Sequence, residues 1–155
     1  MNKELKSFVD IEVMDKFPSQ HPIKSFFNYV QNLVGLEGAL SVAGILAPDL
    51  IEEAGCVFLK ENYPVIANNG LYKVYGDDRK SMERYVNTLC LSDFYLLAAD
   101  EASSDEELLL KLAEIIVKFW SMYLEKLFPA RAFQMEISKD GLFDEYGVCI
   151  TFSQL

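Results

Sequence analysis

The sequence lacks most of the side-chain groupings on which enzyme families depend. Its single histidine, His21, lies in a loop between two prolines, and no GxSxG motif offers a serine for it to activate. The eight glycines spell neither GxGxxG nor GxxxxGKS/T, which excludes the familiar phosphate-binding loops. We therefore expect an exposed, inert His21, no catalytic residues and no cofactor.

Cysteine is also scarce. Cys56, Cys90 and Cys149 are an odd number of thiols, they lie far apart, and none belongs to a CxxC pair. Such a set is a poor disulfide framework and a poor zinc site. We expect buried, reduced thiols in a cytoplasmic protein.

Carboxylates are abundant, but their spacing does not match a calcium-binding loop. Asp77 and Asp78 are better placed to cap a helix, and Asp140, Asp144 and Glu145 are typical of a solvated loop. The sequence therefore predicts no metal site.

Basic residues are few, since 14 Lys and Arg stand against 24 Asp and Glu, and the formal net charge is −10. A surface of that sign repels nucleic acid and anionic membranes and favours a basic protein or a cation. Long apolar runs are lacking too: the nearly uncharged stretch Gly38–Pro48 is too short to span a bilayer, and Asp10 and Glu12 interrupt any signal-peptide core. We expect no nucleic-acid and no membrane partner.

The sequence does contain the material for a core. Apolar residues make up 51% and aromatic residues 13% of the 155 residues. A chain of this length buries roughly 68–70% of the surface that it exposes when unfolded. No internal repeat or linker divides the chain, so we expect one domain over residues 1–155.

Helical periodicity dominates the first part of the chain. Ile23–Val34 carries an apolar face, with Pro22 at its entry and Gly35 at its exit. Leu36–Leu46, dense in Ala and Gly, predicts a second and closely packed helix. Leu5–Phe17 is ambiguous between helix and strand.

Strand signals follow. Leu50–Glu53 and Cys56–Lys60 predict a hairpin, with a helix through the first of them as the competing interpretation. Val65–Ile66 and Leu71–Tyr75 predict a second hairpin, because the Asn-Asn-Gly sequence that ends at Gly70 is a turn signal.

A helix capped within Asp77–Asp78 and ending near Leu89 is predicted next, followed by a short helix over Ser92–Ala99. Glu83 and Asn87 are four residues apart on the first of these helices. We interpret them as part of a solvent-facing polar stripe.

The strongest helical signal is Asp105–Leu127, which Ser104 and Glu107 would cap reciprocally. Its polar residues form one narrow line, so most of its circumference must be covered. These residues are Lys111, Glu114, Lys118, Ser121 and Glu125. Trp120, the only tryptophan, is interpreted as a packing residue of this core helix.

Alternation of apolar and polar residues over Phe133–Ser138 and Val148–Ser153 predicts a final hairpin with one face on the core and the other toward solvent. Helices come first and strands later, without regular βαβ alternation, which indicates the α+β class. The predicted fold is an antiparallel sheet built from hairpins and packed against several helices around one long, mostly buried helix.

An acid-rich stretch supplies the candidate partner-binding residues. They are Asp93, Asp100, Glu101, Asp105, Glu106 and Glu107. A negative patch of this kind would steer a basic protein and make its binding salt-sensitive. The competing interpretation is helix capping and solvation.

Six short segments carry a family resemblance. They are Pro48-Asp49-Leu50-Ile51-Glu52, Val57-Phe58-Leu59, Glu83 with Asn87, Trp120 through Leu124 to Phe128-Pro129, Phe133, and Ile150-Thr151-Phe152. In that order they resemble small acidic bacterial proteins of uncharacterised function, some of which are similar to immunity proteins that neutralise secreted toxins. The resemblance covers residues 48–152, implies a shared fold, and brings no catalytic residue onto this chain.

The sequence therefore favours a non-enzymatic binding protein, most concretely a cytoplasmic immunity-type inhibitor of a basic toxin. Two alternatives stay open at this point. One is a self-associating structural protein, because so apolar a helix could be covered by a second subunit. The other is an enzyme that brings scattered carboxylates and tyrosines together without a recognisable motif.

Overall fold

The computed structural model describes residues 7–63, 70–98 and 101–155. Its first elements are the 3-10 helix Ile11–Lys16, α1 (Phe26–Leu33), α2 (Leu36–Leu46), β1 (Leu50–Glu53) and β2 (Cys56–Leu59). The next are α3 (Leu71–Tyr75), α4 (Arg79–Val86), β3 (Leu89–Cys90) and α5 (Leu91–Phe94). The last are the 3-10 helix Glu101–Ser104, α6 (Glu106–Leu127), β4 (Phe133–Ser138) and β5 (Cys149–Gln154).

The strands form two antiparallel sheets. β1 and β2 pair as a hairpin with Leu50 opposite Leu59. The second sheet has the order β3-β5-β4, with Met135 opposite Phe152. β3 is only two residues long and pairs with the first part of β5, and no other strand of the described residues covers the rest of that edge of β5. The predicted α+β fold with one long helix is confirmed.

The long helix α6 is held in place by a line of buried residues on one side. They are Leu109, Ala113, Ile116, Trp120 and Leu124. Trp120 is 2% exposed, its ring packs edge-on against Phe152, and its Nε1 donates to the Ile45 carbonyl at 2.8 Å. The packing role predicted for Trp120 is therefore confirmed.

The cap of α6 differs from the prediction. Asp105, rather than Ser104, is the N-cap, and its carboxylate accepts hydrogen bonds from the backbone N–H of Glu107 at 2.9 Å and of Leu108 at 3.1 Å. A carboxylate in this position also complements the positive end of the helix dipole.

Two hydrophobic clusters lie on opposite faces of β2. Val57 and Leu59 belong to the larger cluster, which α6 covers, whereas Cys56 and Phe58 belong to a smaller one beneath α4. β5 is likewise buried from Cys149 to Ser153. The prediction of a solvent-facing side is therefore wrong for β5, because α4 covers the face that carries its polar residues.

Residues 71–75 form the short helix α3 instead of a hairpin strand. Gly70, in the left-handed conformation (φ 68°), is the N-cap of that helix. The partner strand predicted at Val65–Ile66 lies outside the described residues.

The N-terminal helices form as predicted but bury little. α1 begins at Phe26, three residues later than expected, with Ser25 as its N-cap. Among the residues described, none on α1 or α2 is buried. The close packing expected of α2 is therefore wrong for most of its length, and only its end, at Ile45 and Leu46, packs on the core.

Glu83 and Asn87 are buried, so the solvent-facing interpretation is wrong. Glu83 is 1% and Asn87 0% exposed. Their side chains lie between the edges of β2 and β5 and bond backbone groups that no strand of the described residues pairs. This contact joins the two sheets through α4.

Candidate functional site

Several of the acidic residues singled out in the sequence have structural partners. Asp105 caps α6, and the carboxylate of Glu107 pairs with Lys16. Glu101 and Glu106 are exposed, in the 3-10 helix before α6 and in its first turn. This group therefore surrounds the positive end of the helix, where negative charge stabilises it.

Asp93 belongs to a different place. It lies on α5 and faces a cleft of about 380 Å³ that it shares with Asp144 and Glu145 from the loop between β4 and β5. Asp100 lies outside the described residues. The structure thus places Asp93 beside two acids that the sequence had assigned only to a solvated loop.

The loop that carries Asp144 and Glu145 has a fixed shape. Gly141 has φ 98°, and a Cβ at this position would collide with the backbone of Glu145. The backbone N–H of Glu145 donates to the Leu142 carbonyl at 3.0 Å, and the Ser138 hydroxyl donates to the Gly141 carbonyl at 2.7 Å. These contacts set the direction in which the two carboxylates leave the loop.

The start of β5 ties α5 to that loop. The backbone N–H of Leu91 donates to the Val148 carbonyl at 2.7 Å, and the Ser92 hydroxyl accepts from the Val148 N–H at 3.0 Å. Gly147, with φ 87°, leaves no room for a Cβ beside Ser92. Asp93, the next residue, is in this way brought to Glu145.

Carboxylate oxygens of Asp93 and Glu145 lie within 4.8 Å of each other. Their hydrogen bond is the main reason why the pKa of Glu145 is raised, and burial and the negative charges of Asp93 and Asp144 raise it further. Among the described residues, no lysine or arginine lines the cleft. A cation entering it would therefore meet uncompensated negative charge.

Three aromatic rings form a further part of the cleft wall. Tyr85 and Phe143 contact each other edge to face with ring centroids 5.2 Å apart, and Phe94 contributes a third ring. Arg84 lies 5.7 Å from the centre of the Phe143 ring, but Glu136 accepts two hydrogen bonds from it, each 2.9 Å long. Its charge is thus already compensated outside the cleft.

Cys90, which lines the cleft, lies beside a second thiol, that of Cys149. Cys90 and Cys149 are opposite each other in the β3–β5 register, and the Cys90 thiol donates to the Tyr146 carbonyl at 3.1 Å. Burial, together with the neighbouring Cys90 thiol, raises the pKa of Cys149 to about 12. All three cysteines of the chain are free and buried, as predicted.

The Cys90 sulfur and one carboxylate oxygen each of Asp93 and Glu145 lie within 4.8 Å of one another. Sulfur and carboxylate oxygen are both zinc ligands, but a closed structural zinc site uses four protein ligands. Three donors, two of them exposed, do not by themselves define a metal centre.

His21 has only a local role. Its Nδ1 accepts a hydrogen bond from the backbone N–H of Ile23 at 3.2 Å, within the loop that precedes α1. Both described hydrogen bonds of the His21 ring are to the backbone of Ile23, whereas a catalytic triad requires the ring to contact a nucleophile and an orienting carboxylate.

The chain matches no protein-family model, no curated protein and no solved structure. In the part of the chain that the structure describes, no helix combines the length and apolar character needed to cross a bilayer.

Proposed function

We propose that this protein is a non-enzymatic binding module for a basic protein, and that the cleft formed by Asp93, Asp144 and Glu145 takes a lysine or arginine side chain of that partner. The family resemblance of residues 48–152 supports the more specific role of an immunity-type inhibitor.

The observation that carries this proposal is the composition of the cleft wall. Three carboxylates and three aromatic rings meet there without a described lysine or arginine among them. Carboxylates form short, charge-assisted hydrogen bonds with guanidinium and ammonium groups, and aromatic faces attract the same cations. The volume of about 380 Å³ falls in the range of about 300–1,000 Å³ that is usual for binding pockets.

The charge of the whole chain supports the same kind of partner. A net charge of −10 accelerates the approach of a basic protein at low ionic strength. The overall charge then speeds the approach of the basic partner, and the cleft makes the specific contact with its lysine or arginine side chain.

The proposal is tested by replacing the three cleft carboxylates together, as Asp93→Asn, Asp144→Asn and Glu145→Gln. The control replaces three exposed carboxylates elsewhere, as Glu12→Gln, Glu114→Gln and Glu125→Gln, with the same change in net charge. Each protein is immobilised and exposed to host extract at low and high salt, and the affinity of the retained basic protein is then measured. We expect the cleft variant to lose at least about tenfold in affinity and the control to lose far less.

Equal losses in the two variants would show that overall charge alone, and not the cleft, determines binding. Failure of the unaltered protein to retain any basic protein at either salt concentration would refute the proposed function.

Acid–base catalysis is a second candidate, because two neighbouring carboxyl groups, one of them with a raised pKa, are a feature of carboxylate dyads. Both carboxylates, however, are exposed on the surface, where solvent screens their interaction. A hydrolytic activity with a bell-shaped pH profile that Asp93→Asn abolishes would favour catalysis over binding.

A further inference from the structure

Three elements meet at the cleft that Asp93 lines, and each of them contributes an aromatic ring. Tyr85 comes from α4, Phe94 from α5 and Phe143 from the loop between β4 and β5. These residues are 41%, 51% and 46% exposed, so a ligand in the cleft can contact part of each ring. On α5 the ring follows Asp93 directly in the chain, and in the loop it directly precedes Asp144. The cleft thus combines negative charge with aromatic surface on two of these three elements.

The backbone conformation of Phe143 is unusual. Its φ of 57° lies in the left-handed region, which residues with a large side chain rarely adopt. The hydrogen bond from the Glu145 N–H to the Leu142 carbonyl, 3.0 Å long, closes the loop around this residue. Strained backbone positions of this kind cluster at active sites and ligand-binding sites. The conformation of Phe143 therefore supports a binding role for the ring that it carries.

An arginine of the chain itself shows how this ring accommodates a guanidinium group. The guanidinium carbon of Arg84 lies 5.7 Å from the centre of the Phe143 ring. The Nε and Nη2 atoms of Arg84 each donate to a carboxylate oxygen of Glu136 at 2.9 Å. One guanidinium group thus bonds a carboxylate and contacts an aromatic ring at the same time. The cleft offers the same two kinds of group, carboxylates and rings, to a ligand.

The carboxylates of the cleft are close enough for one cation to reach more than one of them. An oxygen of Asp93 and an oxygen of Glu145 lie within 4.8 Å of each other, and Asp144 lines the same cleft. Negative charges at this separation repel each other, and a bound cation relieves that repulsion. The five N–H donors of one guanidinium group are sufficient to bond Asp93 and Glu145 together.

Arginine uses this combination of groups better than lysine does. Its guanidinium group is planar and weakly hydrated, so it stacks on a ring while the N–H groups at its edge bond to carboxylates. The lysine ammonium group is compact and strongly hydrated, and its contact with a ring requires the loss of part of its hydration shell. Both side chains carry the same charge, so the net charge of −10 does not discriminate between them. Any selectivity must come from the rings.

We propose that the cleft is selective for arginine over lysine. The partner's guanidinium group lies against the rings of Phe94 and Phe143, and its N–H groups bond the carboxylates of Asp93 and Glu145. This inference rests on the proposed function, and it identifies the side chain of the basic partner that the cleft recognises. Arginine is also one of the residues enriched among the energetic hot spots of protein interfaces.

Titration of the isotope-labelled protein, followed by nuclear magnetic resonance, tests this proposal. The probes are Nα-acetyl-arginine amide and Nα-acetyl-lysine amide, which carry the same charge. The arginine derivative should bind at least about fivefold more tightly and should shift the backbone N–H signals of residues 91–94 and 141–147. Phe94→Leu combined with Phe143→Leu should lower the affinity for the arginine derivative about fivefold and that for the lysine derivative less than about twofold. The control is Phe27→Leu, at an exposed ring of α1, which should leave both affinities unchanged.

Fluorescence of Trp120 and the urea midpoint establish that each variant is folded, and Phe94→Leu alone replaces the double variant if that variant unfolds. Equal affinity for the two derivatives, or an unchanged affinity ratio in the folded ring variant, would overturn this inference and leave the proposed function intact. Absence of binding by both derivatives would overturn it as well. A ring-dependent preference for arginine in a protein that captures no basic protein from host extract would confirm the selectivity of the cleft and refute the protein-binding role.

Discussion

Glu83 in α4 and Asn87 at its C-cap lie one turn apart and together satisfy backbone groups at the facing edges of two different sheets. The Glu83 carboxylate accepts from the backbone N–H of Val57 at 2.7 Å and of Gln154 at 2.6 Å. The Asn87 side chain accepts from the Leu59 N–H at 2.8 Å. Its amide group donates to the carbonyls of Val57 at 2.9 Å and Phe152 at 3.2 Å. Two side chains thus do the work of a missing strand between β2 and β5.

Replacing Glu83 by Ala should lower the free energy of unfolding by about 2–4 kcal/mol, because it leaves the buried N–H of Val57 and the partly buried N–H of Gln154 without acceptors. Urea denaturation followed by Trp120 fluorescence measures the change. Glu53→Ala is the matched control, since Glu53 is exposed on β1, and it should change stability by less than about 0.5 kcal/mol. Equal effects of the two substitutions would mean that Glu83 does not join the sheets.

Asn87→Asp tests the hydrogen bonds that the Asn87 amide donates to the carbonyls of Val57 and Phe152. The substitution keeps the shape but turns a carboxylate oxygen toward the carbonyls of Val57 and Phe152. We expect a loss of at least about 3 kcal/mol at pH 7, where the buried charge lacks a partner. Burial raises the pKa of such a carboxyl in the folded state, so the native form takes up a proton and the loss should shrink as the pH falls.

Urea midpoints of Asn87→Asp and Asn87→Ala between pH 4 and pH 7 check this expectation. The Ala variant should show no comparable recovery relative to the unaltered protein at low pH. A pH-independent difference between the Asp variant and the unaltered protein would contradict the assigned orientation of the Asn87 amide.

The thiols should be unreactive in the native protein. The pKa of Cys149 is raised to about 12 from an ordinary value of 9.0, so at pH 8.5 almost no thiolate exists there, and alkylation requires the thiolate. Mass spectrometry after a short exposure to iodoacetamide should show Cys149 unmodified in the folded chain and modified in urea. Rapid modification of Cys149 in the folded protein would contradict its burial.

The raised pKa of Cys149 also determines how the free energy of unfolding changes at alkaline pH. The folded state holds the Cys149 proton more tightly than the unfolded state does, so this contribution to stability is complete below pH 9 and is lost as the pH rises toward 12. Cys149→Ala should remove that part of the alkaline loss, and thermal melts between pH 8 and pH 10.5 would reveal the difference in slope.

Sequence patterns predicted those elements that are fixed by local signals. The β1–β2 hairpin, α2 and the β4–β5 hairpin form where periodicity and turns indicated. The strand predicted at residues 71–75 is wrong because it rested on the turn signal before it, and five residues are too few for periodicity to distinguish a strand from a single helical turn. Leu71 of this helix packs into the cluster beneath α4.

Local sequence patterns could not predict the burial of Glu83 or the formation of the acidic cleft, because both depend on contacts between distant parts of the chain. Glu83 and Asn87 have the spacing of any exposed helical pair, and only the open edges of two remote strands make them inner residues. Asp93 and Glu145 meet because the start of β5 bonds to α5. A single sequence contains no signal for contacts of this range.

The helix α4 also protects the molecule from its own strands. With Glu83 and Asn87 in place, the outer backbone groups of β2 and the end of β5 are occupied. If α4 detached, the edges of β2 and β5 would both be exposed, and each could pair with a strand of a neighbouring chain. Loss of this one short helix would thus convert a folded protein into a seed for aggregation.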